Sequence, residues 1–386
     1  MQALPPLRGI RVLDFGQYIS GPVTGVLLAE MGADVIKIEP PEGDPFRKWE
    51  DGLSATFVAF NRGKRSVVLD LKLEEDKQRL YELAKSVDVL IENFRPGVTK
   101  RLGIDYGILS ELNPGLVYCS ITGFGSEGPY VSLPAYDGVA LGYSGFAGLM
   151  LDPKEPRLLG PAIADAVTGH SAAFAIVAAL FDRFRSQNGQ LLEISMFGAL
   201  VHFLHSAVSK KIIEDREEGP YSRVIGSQAY VFVTGDSKAL LIHMSSPTKF
   251  WEGLCATVSR PDLISDARFL KRSDRQKNYE LLRAEMEPIF KTRGRDEWLE
   301  ELRKHQVPCA PVNTIGEALS DEQFKLLGIV DTVDEPGLGP MPRIRPPAHF
   351  GGEPLSPVGR APFLGEHTQE VFDEAKRMEI DRTGIR

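Results

Sequence analysis

The chain of 386 residues is poor in cysteine, has no excess of positive charge and contains no long apolar run. Its three cysteines, Cys119, Cys255 and Cys309, stand far apart, with no CxxC pair and no histidine at ligand spacing. That excludes a disulfide framework and a zinc ribbon, and it fits a reducing cytoplasm. With 45 Lys and Arg against 53 Asp and Glu, the net charge is −8. Nucleic acid is therefore not the expected partner, because phosphate binding needs a basic face. The longest apolar run, residues 171–181, is too short to cross a bilayer. Pro5 and Pro6 interrupt the start where a signal peptide needs its apolar stretch. The expectation is a soluble, acidic, cytoplasmic protein without a membrane partner. GxSxG, HExxH and GK[ST] are all missing, and no cysteine has a convincing base. If the chain is an enzyme, what remains is carboxylate chemistry without a metal.

What is present has a regular order. RVLDF (11–15), DVIKIE (34–39), SVVLDL (66–71), VDVLIENF (87–94) and LVYCSITGF (116–124) are short runs rich in β-branched residues. Helical patterns separate several of them, as in PVTGVLLAEMGA (22–33) and EEDKQRLYELAKS (74–86). Strands alternating with single helices predict parallel βαβ units in a doubly wound, Rossmann-like α/β sheet. Residues 125–160 are rich in Gly, Pro, Ser and Tyr and read as long loops, which in a compact enzyme are usually functional. A strong helix is expected over 164–186, stopping at Asn188-Gly189, then a strand over 190–197 and a helix over 198–211.

After residue 215 the character changes. EDREEGPYSR (214–223) is charged and turn-rich, a linker pattern. Residues 227–246 read as an antiparallel hairpin turning at Gly235-Asp236, followed by amphipathic helices from Pro247 to about Lys304. The segment from 329 is proline-rich with little periodicity, expected to run over a surface and back to the first domain. The expected division is a large domain over 1–215, a smaller α+β domain over 216–328 and a returning segment over 329–386.

Three groups of residues are candidates for chemistry. The first βα turn, DFGQYISGPVTG (14–25), has the layout that binds nucleotide phosphates at a helix N-terminus. Its glycines, Gly16, Gly21 and Gly25, do not follow GxGxxG, so a structural turn stands as the alternative. Glu39, at a strand end downstream, imitates the ribose-binding acid of a dinucleotide fold. Secondly, Arg47, Lys48, Asn61, Arg62, Lys64, Arg65 and Lys72 crowd the turns beside predicted strands, either as an anion site or as a solvated surface. Arg95, Lys100 and Arg101 would extend it. Thirdly, Asp165 lies where an apolar segment enters the long helix; it reads either as a cap or as a functional carboxylate. His170, five residues on, reads more readily as a packed histidine than as a catalytic partner.

Taken in order, RVLDF, LAEMGADVIKIEPPEGDPFR, FNRGKRSVVLDLK, ENFRPGVTKRLGIDY, NPGLVYCSITGFGSEGP, PAYDGVA, GPAIADAVTG, NGQLLEISMF, PDLISDARF and VPCAPV resemble the class III CoA-transferases over nearly the whole chain. This CaiB/BaiF family includes formyl-CoA:oxalate CoA-transferase, L-carnitine CoA-transferase and α-methylacyl-CoA racemase. The resemblance implies a catalytic aspartate at Asp165 in IADAVTG, with acyl-CoA and a carboxylic acid as substrates. It implies CoA contacts from Gln17, Tyr18, Ile19 and Ser20, from Leu69 and Lys72, from Asn93 and Phe94, and from Arg101 and Leu102. It also implies an interlocked homodimer. Pro40 stands where the formyl-CoA enzyme has a CoA-binding arginine, and no glycine-rich lid is evident near Arg223–Gln228. In the racemase a histidine precedes the aspartate of an HD pair. Here the pair is Tyr136-Asp137, possible active-site residues, and tyrosine with its pKa of about 10 is a poor base. That favours transfer over racemisation; a non-catalytic acyl-CoA-binding protein is the alternative from another class. Arg157, Arg223 and His243 are candidates for an acceptor carboxylate, with surface charge as the plainer role.

Overall fold

The computed structural model describes residues 4–49, 54–158, 160–245, 247–335 and 338–383. It divides into two compact units, one of residues 1–215 with 328–386 and one of residues 216–327.

The larger unit is built on six strands: β1 (Arg11–Asp14), β2 (Asp34–Glu39), β3 (Arg65–Val68), β4 (Val89–Glu92), β5 (Val117–Thr122) and β6 (Gln190–Ser195). They pair in the order β3-β2-β1-β4-β5-β6 and every pairing is parallel. The continuous apolar character of these strands follows from burial on both faces: Val12, Leu13, Val35, Ile36, Val89, Leu90 and Val117 are all at 0–1% exposure. One face packs Leu80, Leu83 and Ala84 of the helix Glu74–Ala84; the other packs Ala172, Ile176, Ala179 and Leu180 of the helix Ile163–Ser186. The order reverses between β1 and β4. Sheets of this kind bind ligands at the carboxyl ends of the strands flanking such a switch point.

Several segments differ from expectation. Residues 125–160 do contain regular structure, a helix over Asp137–Tyr143 and a short 3-10 turn over Ala147–Leu149. Ala140, Leu141 and Phe146 join Ala164, Met196 and Leu200 in a small core of their own, which is what orders a Gly-rich stretch. The strand expected to reach residue 197 ends at Ser195, whose side chain caps the next helix by accepting Gly198 N–H at 3.0 Å. The segment after 329 forms a hairpin of Val330–Glu335 with Gly339–Ile344, then a helix, Thr368–Thr383. Val371 and Phe372 of that helix enter the core beside Leu80, and Arg65 pairs with Glu370 and Glu374. The long helix also exceeds the apolar run read from sequence. Its 24 residues suffice by length and composition to cross a membrane, yet its inner face is the cover of the sheet.

The smaller unit pairs Ala229–Val233, Ala239–His243 and Cys309–Pro311 as an antiparallel sheet. Its core is a run of rings: Tyr279 on Tyr230 at 4.4 Å, Phe232 on Phe290 at 4.4 Å and Phe290 on Trp298 at 5.0 Å.

Candidate active site

A cavity of about 780 Å³ in the larger unit opens at the switch point between β1 and β4. The loop after β1 contributes Gln17, Tyr18, Ile19 and Ser20 to its wall, and the turn after β4 contributes Asn93 and Phe94. Tyr136, Asp137 and Asp165 complete the set of sequence candidates found there.

The other four candidates lie elsewhere. Leu69 is core, at 1% exposure, because its position directly after β3 faces the helix Glu74–Ala84. Lys72 and Arg101 are exposed outside the cavity, and Leu102 packs against the same core as Leu69. His170 is exposed rather than packed, with Nδ1 2.9 Å from the Ala166 carbonyl. Arg157 is exposed and lines no part of the cavity, while Arg223 and His243 belong to the smaller unit.

The loop between β1 and the helix Ser20–Glu30 is built around a buried ion network. Lys64 Nζ donates to Asp14 Oδ2 at 2.6 Å, to the Pro22 carbonyl at 2.9 Å and to Asn61 Oδ1 at 3.0 Å. Asp14 Oδ1 accepts Gly16 N–H at 2.7 Å, and Lys37 Nζ donates to the Gly16 carbonyl at 2.7 Å while pairing with Asp44 at 3.0 Å. These contacts explain the glycines. A Cβ on Gly16 would lie 2.7 Å from Asp14 Oδ1, and one on Gly25 would lie 2.6 Å from Asp14 Oδ2. They are close-approach positions rather than a phosphate cradle.

Most of the basic cluster read from sequence as a possible anion site is spent internally, while Lys48 and Lys72 are exposed. Arg47 makes two bonds to Glu39, at 2.7 and 2.8 Å, Arg62 pairs with Glu30, and Arg65 pairs with Asp34 and Glu374. Glu39 is likewise occupied, accepting from Arg47, Asp44 N–H and Ser66 Oγ, so it is not a ribose acceptor. Of the wider cluster, Arg95 alone reaches the cavity wall.

Asp165 sits in the first turn of the helix Ile163–Ser186, which has Ala162 at its N-cap and no capping side chain of its own. The cap comes from another helix. Asp137 Oδ1 accepts Ala164 N–H at 2.6 Å and Asp165 N–H at 3.3 Å. Asp165 is thereby relieved of capping, and Ser20 of the first loop lines the same cavity. Burial, reinforced by the nearby Asp137 charge and opposed by the Ser20 donors, pushes its pKa up to about 6. Burial and the like charge outweigh the helix dipole, yet at neutral pH the group is still a carboxylate.

Sequence reasoning missed the aromatic wall. Tyr18 has a left-handed backbone (φ 60°), which costs a non-glycine residue about 1 kcal/mol or more. Its ring is held edge-on to Phe46 at 5.6 Å and to Tyr136 at 5.9 Å. Phe46, Trp49 and Phe124 also line the cavity. Phe124, the last residue of LVYCSITGF, lies two residues beyond the carboxyl end of β5, a position at which a lining residue is expected. Among the described residues, no group of three or more His, Cys, Asp or Glu could hold a metal.

A six-stranded parallel sheet with a half-buried carboxylate facing a cavity at its switch point defines an enzyme-like ligand site of the doubly wound class. The family model of CoA-transferase family III matches residues 7–368. The chain belongs to this family and is a CoA-transferase. It is 34% identical to a succinate–glutarate CoA-transferase of Agrobacterium fabrum, over 98% of either chain. It is 32% identical to a formyl-CoA:oxalate CoA-transferase of Streptomyces coelicolor, over 95% of this chain and 94% of that one. Among solved structures, a CaiB/BaiF family protein of Brucella suis superposes with a TM-score of 0.86 at 33% identity, over 96% of this chain and 99% of that one.

Proposed function

We propose that the enzyme moves coenzyme A from an acyl-CoA to a carboxylic acid, with Asp165 as the carboxylate that carries the acyl group. The observation that carries this reading is the setting of Asp165: a carboxylate half-buried in the cavity wall, freed from capping by Asp137 and sharing the cavity with Gln17, Tyr18, Ile19 and Ser20 of the first loop. A buried, poorly solvated carboxylate held close to a thioester is a competent nucleophile.

In the proposed course an Asp165 oxygen adds to the donor thioester carbonyl and the C–S bond breaks. This leaves a mixed anhydride on Asp165 and a CoA thiolate. The thiolate then adds to the aspartyl carbonyl and the anhydride C–O bond breaks, releasing the donor acid as its carboxylate. The acceptor carboxylate attacks the resulting aspartyl-CoA thioester and expels thiolate. The thiolate finally attacks the acceptor acyl carbonyl and returns Asp165 as a free carboxylate. Each intermediate keeps the energy of the thioester. The rival, racemisation, would need bases flanking the α-carbon. Tyr136 is exposed, and Asp137 is committed to the helix cap, which argues against that role.

The cavity residues Gln17, Tyr18, Ile19, Ser20, Asn93 and Phe94 would face the CoA thioester, the first four from the loop and the last two from the turn opposite. Leu69, Lys72, Arg101 and Leu102 would contact CoA only away from this cavity. We further propose a cytoplasmic homodimer with interlocked protomers. It is supported by the outer face of the helix Ile163–Ser186, where Phe174, Phe181 and Phe184 are 77%, 65% and 76% exposed. An apolar stripe of that kind marks an association surface. Light scattering should report a dimer that Phe181→Glu weakens; a wild-type monomer would refute the proposal. A panel of CoA esters and acids, read by product mass, tests the reaction: CoA exchange that Asp165→Ala abolishes is expected, and exchange that survives the substitution would overturn it.

A further inference from the structure

Tyr18 stands in the left-handed region (φ 60°), which an aromatic residue adopts only where its surroundings hold it there. The hold comes through its neighbours. Asn93 Oδ1 accepts Gln17 N–H at 2.8 Å, and Asn93 Nδ2 donates to the Gln17 carbonyl at 2.8 Å. A backbone N–H only donates and a carbonyl only accepts, so this pair of bonds settles which end of the amide is which. Nδ2 also donates to Ser20 Oγ at 3.2 Å. The three contacts bracket Tyr18, two on the residue before it and one on the second residue after it. The helix that follows, Ser20–Glu30, has Ile19 at its N-cap and no capping side chain to fix the loop from that end.

Asn93 is itself firmly supported. It follows directly on β4, and the turn it opens is tied back by Glu92, whose Oε2 accepts Phe94 N–H at 2.8 Å. The amide is seated closely against the loop, since a Cβ on Gly21 would lie 3.1 Å from Asn93 Cγ. Both hydrogens of Nδ2 are used within the protein, so the amide has no donor left for a ligand.

We infer that Asn93 is a positioning residue, an amide clamp that holds the first loop with Tyr18 in its left-handed conformation before the acyl-CoA arrives. This role rests on the reading of the cavity as the acyl-CoA site. Gln17, Tyr18, Ile19 and Ser20 line the cavity together with Asp165, and the Tyr18 ring lies edge-on to Phe46 at 5.6 Å and to Tyr136 at 5.9 Å. Released from the clamp, Tyr18 returns to the common regions of backbone space and its ring leaves that wall. The substrate must then draw the competent loop from a minor population. That weakens binding in proportion to the population lost and leaves the turnover of the saturated enzyme as it was.

The experiment compares Asn93→Leu, Tyr18→Gly and the double variant in the full-length enzyme. Leucine removes all three bonds at similar volume, and glycine adopts φ 60° without strain. Asn93→Leu should raise KM for acyl-CoA by about tenfold or more, with kcat changed by less than about threefold. In the Tyr18→Gly background the same substitution should raise KM by about threefold or less, because no strain then opposes the loop conformation. Equal factors in the two backgrounds would mean that the Asn93 side chain meets the ligand directly or merely supports the fold, and would overturn the inference. A loss confined to kcat would overturn it too. Amide hydrogen exchange provides a readout that needs no turnover. The Gln17 amide should exchange about tenfold faster or more in Asn93→Leu, while the amides of β1 and β4 keep their rates. Asn93→Ala takes the place of the leucine variant if that one does not fold. A Gln17 amide that depends on Asn93 in a protein that moves no CoA would sink the transferase reading and leave the clamp standing. An unchanged Gln17 rate in an enzyme that does move CoA would sink the clamp alone.

Discussion

Replacing Asp165 by Asn should make the protein more stable while abolishing its activity, and the size of the gain should depend on pH. In the folded chain Asp165 has a pKa of about 6 against an ordinary value of 3.8, chiefly through burial and then through Asp137. The sign follows from proton counting. Between these two values the native state holds a proton that the unfolded chain has released, so stability falls as pH rises across the window. At 1.36 kcal/mol per pH unit, the ionised carboxylate costs the native state about 3 kcal/mol above pH 7. About half of that cost is already present at pH 5. Asn is nearly isosteric and does not ionise. The stability difference between Asp165→Asn and wild type should therefore grow by about 1.4 kcal/mol from pH 5 to pH 8. Urea unfolding at both pH values, followed by far-UV circular dichroism, measures it. A difference that does not change with pH, or an Asn variant less stable than wild type at pH 8, would refute the reasoning. A functional carboxylate kept at such a cost is the usual trade of stability for activity.

Asp137→Asn keeps the oxygen that caps the helix Ile163–Ser186 but removes the like charge, so the acid limb of the rate profile should move down in pH. Glu92, at 3% exposure, is pushed up to about 7 by burial, against the pull of the Ser120 hydroxyl and Phe94 N–H. Its native proton is retained from about pH 4.5 to 7 after the unfolded chain has lost it, so Glu92→Gln should stabilise the protein by up to about 3 kcal/mol at pH 8 and by much less at pH 4, read by urea midpoints. Lys64 and Asp14 have fully buried side chains, and Lys64→Met removes the cation that Asp14 bonds directly. A loss of about 3–5 kcal/mol is expected, with part of it recovered in the Asp14→Asn/Lys64→Met double variant; a loss below about 1 kcal/mol would contradict the network.

The parallel sheet was legible because its strands are buried on both faces and their helices carry a clear period, as the pairing of Leu13 between Ile36 and Leu90 illustrates. The helix Asp137–Tyr143 was not legible. Its residues are held by tertiary contacts of Ala140 and Leu141 with Ala164 and Leu200, which leave no local periodicity in a Gly- and Tyr-rich stretch. The C-terminal helix was hidden for a related reason, since few of its residues, Val371 and Phe372 foremost, are apolar and buried. At the site, sequence order pointed to Asp165 through its resemblance to a family, while its environment belongs to residues far along the chain: Ser20 from the first loop and Asp137 from a helix that sequence did not suggest. The basic cluster misled because its partners, Glu30, Asp34 and Glu374, lie at positions that become neighbours only on folding.

The proposed transfer stands or falls on covalent acylation of Asp165 during turnover. Incubating the enzyme with a reactive acyl-CoA and hydroxylamine, or with borohydride, followed by peptide mass spectrometry, addresses it directly. The expected product is an acyl-CoA-dependent hydroxamate, or the reduced alcohol, on Asp165 and on no other carboxylate. An exchanging enzyme whose Asp165 peptide stays unmodified would contradict it.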